Sequence, residues 1–227
     1  MAQTHELSID AALQKVAVKK KSLLKSISEG IFCSVARGED PKNQRLIVDG
    51  LAKTPEDLVN RIKADFQALE DGINYFIALK LAISRSNAKI EHDVEGPISI
   101  CGRKLFANEV LLLREIIKEI HQQLLYQLKR QWDTSSRLFT KEQTNFEQEV
   151  EKSIQTIVGK DSNRKTTDGD FEQIRQLKRD LLSPVYIDPL EIQKVIDKYE
   201  KFIEEFELNQ STEIRKYNVN NNVTFVV

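Results

Sequence analysis

The chain has 227 residues, with 34 Lys and Arg against 35 Asp and Glu, 40% hydrophobic residues, 8 Gly and 5 Pro. A net charge of −1 gives no global pull toward nucleic acid or an anionic membrane, and so few Gly and Pro favour helices over a β-sandwich. Two cysteines cannot staple a fold of this length, and three histidines leave little for metal chemistry.

The first ten residues lack a basic segment followed by an apolar one, so no signal peptide is expected. The apolar run Val110 to Leu113 is cut short by Arg114 and Glu115, and no window reaches the length of a membrane span. Cys33 and Cys101 lie far apart among apolar neighbours and read as buried free thiols in a reducing compartment.

In chain order, Leu13, Val16, Leu23, Leu24, Ile27 and Ile31 predict a helix over residues 9–36, with Lys20 on its seam and its ammonium in water. A loop follows to Gly50, in which residues 45–48 form a short extended stretch. Thr54 as cap, Pro55 in the first turn and the acids Glu56 and Asp57 start a second helix. Its seam is Leu58, Ile62, Phe66, Leu69, Ile73, Phe76 and Ile83, locally weakened by Gly72. From residue 86 to 106 the period changes to alternation, with Gly96 and Pro97 as the turn of an inserted β-hairpin at about residues 88–104.

Asn108 is the predicted cap of a third helix carrying Val110, Leu113, Ile117, Ile120, Leu124, Leu128 and Trp132. Residues 133–136 are poor helix formers that could bend it before Phe139, Phe146, Val150, Ile154 and Ile157 resume the stripe. Unbroken, residues 109–158 would make a rod about 75 Å long, at about 1.5 Å per residue. A short helix over residues 171–182 ends at Ser183 and Pro184, and Asp188 with Pro189 opens the last one. Its seam is Ile192, Val195, Tyr199, Phe202 and Phe206. After Glu207 the pattern alternates through Leu208, Gln210, Thr212 and Ile214, then Val223, Phe225 and Val227, and predicts a C-terminal β-tail that needs a partner strand.

The motifs of chemistry are missing. Gly159 and Lys160 resemble the end of a phosphate-binding loop, without its first glycine, its hydroxyl residue or its strand. His5, His92 and His121 have no ligand-spaced neighbours, so each reads as a surface or half-buried residue. The acids Glu204 and Glu205, and the basic stretches at residues 19–21 and 129–130, read as solvated helix faces. No catalytic residue, metal ligand or cofactor site is expected.

Four stretches carry a family likeness: residues 83–88 before the hairpin, residues 98–105 leading into the long helix, residues 188–190, and residues 205–207 giving way to the tail. In these the chain resembles tailed-bacteriophage virion proteins built from long helices, a hairpin and a short C-terminal β-segment. Phe106 departs from the pattern, where a small hydroxyl cap is expected. The layout is also similar to a bacterial helical-hairpin family of unknown function. The resemblance implies a non-enzymatic structural component of the virion, at a neck, tail, baseplate or capsid-decorating position, assembled in the bacterial host cytoplasm. The alternative is a cytoplasmic coiled-coil adaptor or phage assembly chaperone.

The expected fold is mainly α, an elongated antiparallel helical bundle or coiled coil with an inserted β-hairpin and a C-terminal β-segment. Residues 1–50 form an N-terminal helix and loop, residues 51–207 the bundle, and residues 208–227 the tail. Its partners are other copies of itself and other virion proteins, with no nucleic acid, membrane or small-molecule substrate. The expected interaction residues are Ile98, Ile100, Ile214, Val223, Phe225 and Val227.

Overall fold

A computed structural model describes residues 7–39, 44–47, 50, 52, 54–91, 93–160 and 168–220. The fold is mainly α, as the periodicity predicts. Helix α1 spans Ile9–Glu29 and α2 spans Pro55–Asn87. The strands β3 (Ile98–Ile100) and β4 (Arg103–Leu105) lead into α3 (Ala107–Ile116). A single π turn, Ile117–His121, joins α3 to α4 (Gln122–Lys160), so the long helix runs on from Ala107 without a break. Helices α5 (Asp168–Leu182) and α6 (Ile192–Val219) follow, and three strands complete the fold: β1 (Ser34–Glu39), β2 (Gln44–Ile47) and β5 (Val185–Ile187).

The chain divides into two compact units, each discontinuous in sequence: residues 1–30, 65–128 and 193–227, and residues 31–64 with 129–192. This differs from the expected succession 1–50, 51–207 and 208–227. A long helix that leaves one core and enters another cannot be told from a single seam by its period alone.

In the first unit the buried faces follow the helical stripes. Leu23 and Ile27 of α1, Phe66 to Ile77 of α2, Val110 to Leu128 of the long helix, and Ile196, Tyr199, Ile203 and Phe206 of α6 are the core. Gly72 brings α1 close to α2, because a methyl group there would lie 3.0 Å from Leu23 Cδ2 and 3.0 Å from Lys19 Nζ. Lys20 pairs with Glu119 at 2.7 Å while keeping its head in water, as expected of a seam lysine.

The second unit has a sheet of order β2-β1-β5, antiparallel throughout, in which Ala36 pairs with Ile47 and with Val185. Ala36, Ile47 and Ile187 pack with Leu58 and Ile62 from the start of α2, whose first turn is capped by Thr54 Oγ1 accepting from the Asp57 amide at 3.1 Å. A further cluster joins Phe146, Val150 and Ile154 of α4 to Phe171 and Leu182 of α5. Arg37 on β1 reaches Glu142 at 3.3 Å and Glu149 at 2.8 Å, two acids seven residues apart on α4.

Several boundaries differ from the sequence reading, each for a local physical reason. Helix α1 ends at Gly30, in extended conformation, so residues 34–36 belong to a strand instead. Leu13 is 52% exposed and does not join the core. The hairpin is present, but its turn is Cys101 and Gly102, with φ of +48° and +71°, the signs a two-residue I′ turn requires. Residues 88–91 are used up in capping α2: Lys89 takes φ +55° and the Ile90 amide donates to the Arg85 carbonyl at 3.0 Å. His92 lies outside the described residues.

Helix α3 begins two residues earlier than Asn108 would set it, with its cap at Phe106, whose amide donates to Glu109 Oε2 at 2.9 Å. Residues 133–136 do not break α4, because Ser135 is buried and donates to the Cys33 carbonyl at 3.4 Å. Asp188 does cap α6, its carboxylate accepting from the Ile192 amide at 2.9 Å, but Pro189 and Leu190 form a turn before the helix. Finally, residues 208–219, expected as part of the β-tail, continue α6. Their half-buried positions 210, 213, 214 and 217 fall at helical steps after Phe206, a pattern that the alternation of Leu208, Gln210, Thr212 and Ile214 masked.

Candidate functional site

The six expected interaction residues have three different fates. Ile98 and Ile100 are 1% and 2% exposed, pointing inward from the hairpin, so their side chains pack the core of the first unit and do not face a partner. Alternation alone cannot say which side of a short hairpin meets the protein. Ile214 is half-buried on α6. Val223, Phe225 and Val227 lie outside the described residues.

Ile214 lines a shallow surface groove of about 420 Å³ within the first unit. Leu111 and Arg114 of α3 form one wall, and Gln210, Ser211, Arg215, Asn218 and Val219 of α6 form the other with Ile214. The α6 positions follow one another at alternating steps of one and three, which sets them on one stripe of the helix. Leu111 is 44% exposed and Val219 78%, so two large apolar side chains face water in a groove that two arginines also line. On α6, Leu208 is 68% exposed and lines a second groove with Leu125, Ile203 and the acids Glu200, Glu204 and Glu207.

A third concavity, of about 320 Å³, lies among α2, the π turn and α6, again within the first unit. Glu70, Ile73, Asn74 and Ile77 line it from α2 at steps of three and four, and Lys198, Tyr199 and Phe202 from α6. Leu113, Arg103 and His121 complete the wall. The sequence reads His121 as a surface or half-buried residue, yet it is 6% exposed, with its ring centroid 5.4 Å from that of Phe202 and 5.9 Å from that of Tyr199. The signal was its place one residue after Ile120 and four after Ile117. A π turn widens the inward face, so Ile116, Ile117, Ile120 and His121 are all buried.

The electrostatics of this cavity are largely settled internally. Glu70 Oε1 accepts from Lys198 Nζ at 3.3 Å and from the Tyr199 hydroxyl at 3.4 Å. Burial, followed by the charge of Glu70, pushes the Tyr199 phenol well above its ordinary range. His121 Nδ1 is buried without a hydrogen-bond partner. Burial pushes the His121 pKa down to about 4, opposed by the nearby Ile116 backbone and helped by the charge of Arg103. The imidazole is therefore neutral at pH 7.

This neutral histidine has a measurable consequence. Its pKa is lower folded than unfolded, so between the ordinary value of 6.5 and about 4 the unfolded chain binds more protons and stability rises with pH. Acidification across that window should cost about 3 kcal/mol from this residue. Urea unfolding from pH 7 to pH 4 should show the loss in the wild type, and His121→Phe should flatten that part of the profile. Parallel profiles for the two chains would contradict the assignment.

Among the described residues no group of three or more His, Cys, Asp or Glu could hold a metal ion, and no helix is long and apolar enough to cross a membrane. No protein-family model, curated protein or solved structure matches the chain.

Proposed function

We propose that this chain is a non-enzymatic structural component of a tailed-phage virion that works through its surfaces. One observation carries the reading: the groove between α3 and α6, which Leu111, Ile214 and Val219 line together with Arg114 and Arg215. Soluble proteins seldom leave large aliphatic side chains clustered in water unless something covers them. The helical bundle supplies rigid faces for such contacts, and the likeness of residues 83–88, 98–105, 188–190 and 205–207 to virion proteins suggests the particle. The partners are other copies of the chain and other virion proteins. Val223, Phe225 and Val227 are the sequence-derived candidates for strand addition.

Sedimentation of the purified chain tests the surface. The wild type should sediment as an oligomer, and Ile214→Glu should release monomers with the helical circular dichroism unchanged. A monomeric wild type, or an Ile214→Glu chain that still assembles, would overturn it. Mass spectrometry of purified particles tests the location. Abundant peptides of this chain are expected there, whereas their absence would point to an adaptor or assembly chaperone.

A further inference from the structure

We propose that the cavity walled by His121, Tyr199 and Phe202 binds a small aromatic monocarboxylate, with its ring on the apolar floor and its carboxylate against Arg103. This goes beyond the assembly reading and does not depend on it. Four observations carry it.

The first is size and lining. A volume of about 320 Å³ is at the lower end of small-molecule sites, enough for one or two fused rings. The floor is Ile73, Ile77 and Leu113, exposed by 3%, 4% and 1%, and offers dispersion contact and no hydrogen bonds. The second is the wall. His121, Tyr199 and Phe202 set three rings side by side at centroid distances of 5.4 and 5.9 Å, tilted by 39° and 46°. Such a wall favours a flat ligand that can stack or meet ring edges.

The third is charge. Lys198 and the Tyr199 hydroxyl are both turned to Glu70, which leaves the Arg103 guanidinium without an ion pair among the described residues. One unpaired cation beside an otherwise neutralised lining matches one negative charge, and guanidinium geometry suits a carboxylate. A cationic ligand would have to compete with Lys198 for Glu70, and a dianion would find a single free positive charge.

The fourth is His121 itself. It is more than nine-tenths buried, lines the cavity, and has a ring nitrogen with no partner, an arrangement that costs stability unless some compensation exists. It stands at the end of the π turn, a departure from α-helical bonding that is frequent at functional sites. The packing keeps an imidazole with an unpaired Nδ1 at a cavity where an apolar side chain of similar size would satisfy the core.

The probes for the test are 2-naphthoate and its neutral counterpart 2-naphthamide, titrated into the full chain. Imidazole resonances report binding, with the His121 signal assigned by its loss in His121→Phe, and calorimetry gives the affinities. Naphthoate should shift the His121 signal saturably and bind at least about tenfold more tightly than naphthamide, the worth of one charge-assisted hydrogen bond. Arg103→Gln, at an exposed position of β4, should bring the two probes within about twofold of each other while the His121 shift persists. No saturable shift with either probe at millimolar concentration would overturn the proposal. So would equal affinity of the two probes for the wild type, or an unchanged preference in Arg103→Gln.

Discussion

Gly96→Ala is expected to destabilise the chain by about 3 kcal/mol or more, among the largest effects of any single methyl group in this fold. A Cβ at this position would stand 2.0 Å from the Leu105 carbonyl carbon, 2.3 Å from its oxygen and 2.4 Å from the Phe106 nitrogen. All three are backbone atoms, so no rotamer change relieves the clash. They are also committed elsewhere: Leu105 closes the hairpin ladder opposite Ile98, and the Phe106 amide donates to Glu109 at the start of α3. Moving them would disturb the strand pair and the helix start together. Urea unfolding monitored by circular dichroism measures the loss. Gly72→Ala serves as the comparison, since its nearest neighbours at 3.0 Å are the ends of the Leu23 and Lys19 side chains. Equal, small effects at both glycines would contradict the steric account.

Arg85→Met should cost about 3–5 kcal/mol by stranding a carboxylate in the core. Glu109 is 0% exposed, and Arg85 Nε donates to its Oε1 at 2.6 Å. The guanidinium also lies over the Phe106 ring, 5.9 Å from its centroid. Without it, Glu109 would keep the Phe106 amide as partner for one oxygen and face desolvation with its charge otherwise uncompensated. The double variant Arg85→Met/Glu109→Met removes both charges and should recover most of the loss, because an apolar pair of similar volume can replace a buried ion pair. A double-mutant cycle in urea isolates the coupling. Arg85→Met no more harmful than the double variant would show that the pair is not a unit. The arrangement also explains how a helix can start at Phe106 without a hydroxyl cap: the buried acid three residues on reaches back to the cap amide.

Much of this architecture was legible in the residues. The seams Leu58 to Phe76 and Val110 to Leu128 are buried as their spacing requires, and Thr54 with Pro55 starts α2 where capping chemistry places it. The hairpin was legible as a change of period but its turn was not. Gly96 and Pro97 look like a turn in sequence, yet Gly96 is needed for a close backbone approach, while Cys101 and Gly102 carry the positive φ angles. The candidate site was legible only in part. Ile214 does line a groove, whereas Ile98 and Ile100 turned inward, and His121 gave no local sign that it borders a cavity.

The helices and their inward faces follow from local residues, because a helix closes its hydrogen bonds within a few residues and its apolar stripe repeats along one segment. The sheet, the hairpin's facing and the fate of His121 depend instead on contacts between segments distant in the chain. Strand β1 pairs with β5 across about 150 residues of chain, and β5 is three residues long, too short for any periodicity to register. Which residues surround the His121 ring depends on α6 meeting the π turn, and a contact between distant segments leaves no repeat in either of them.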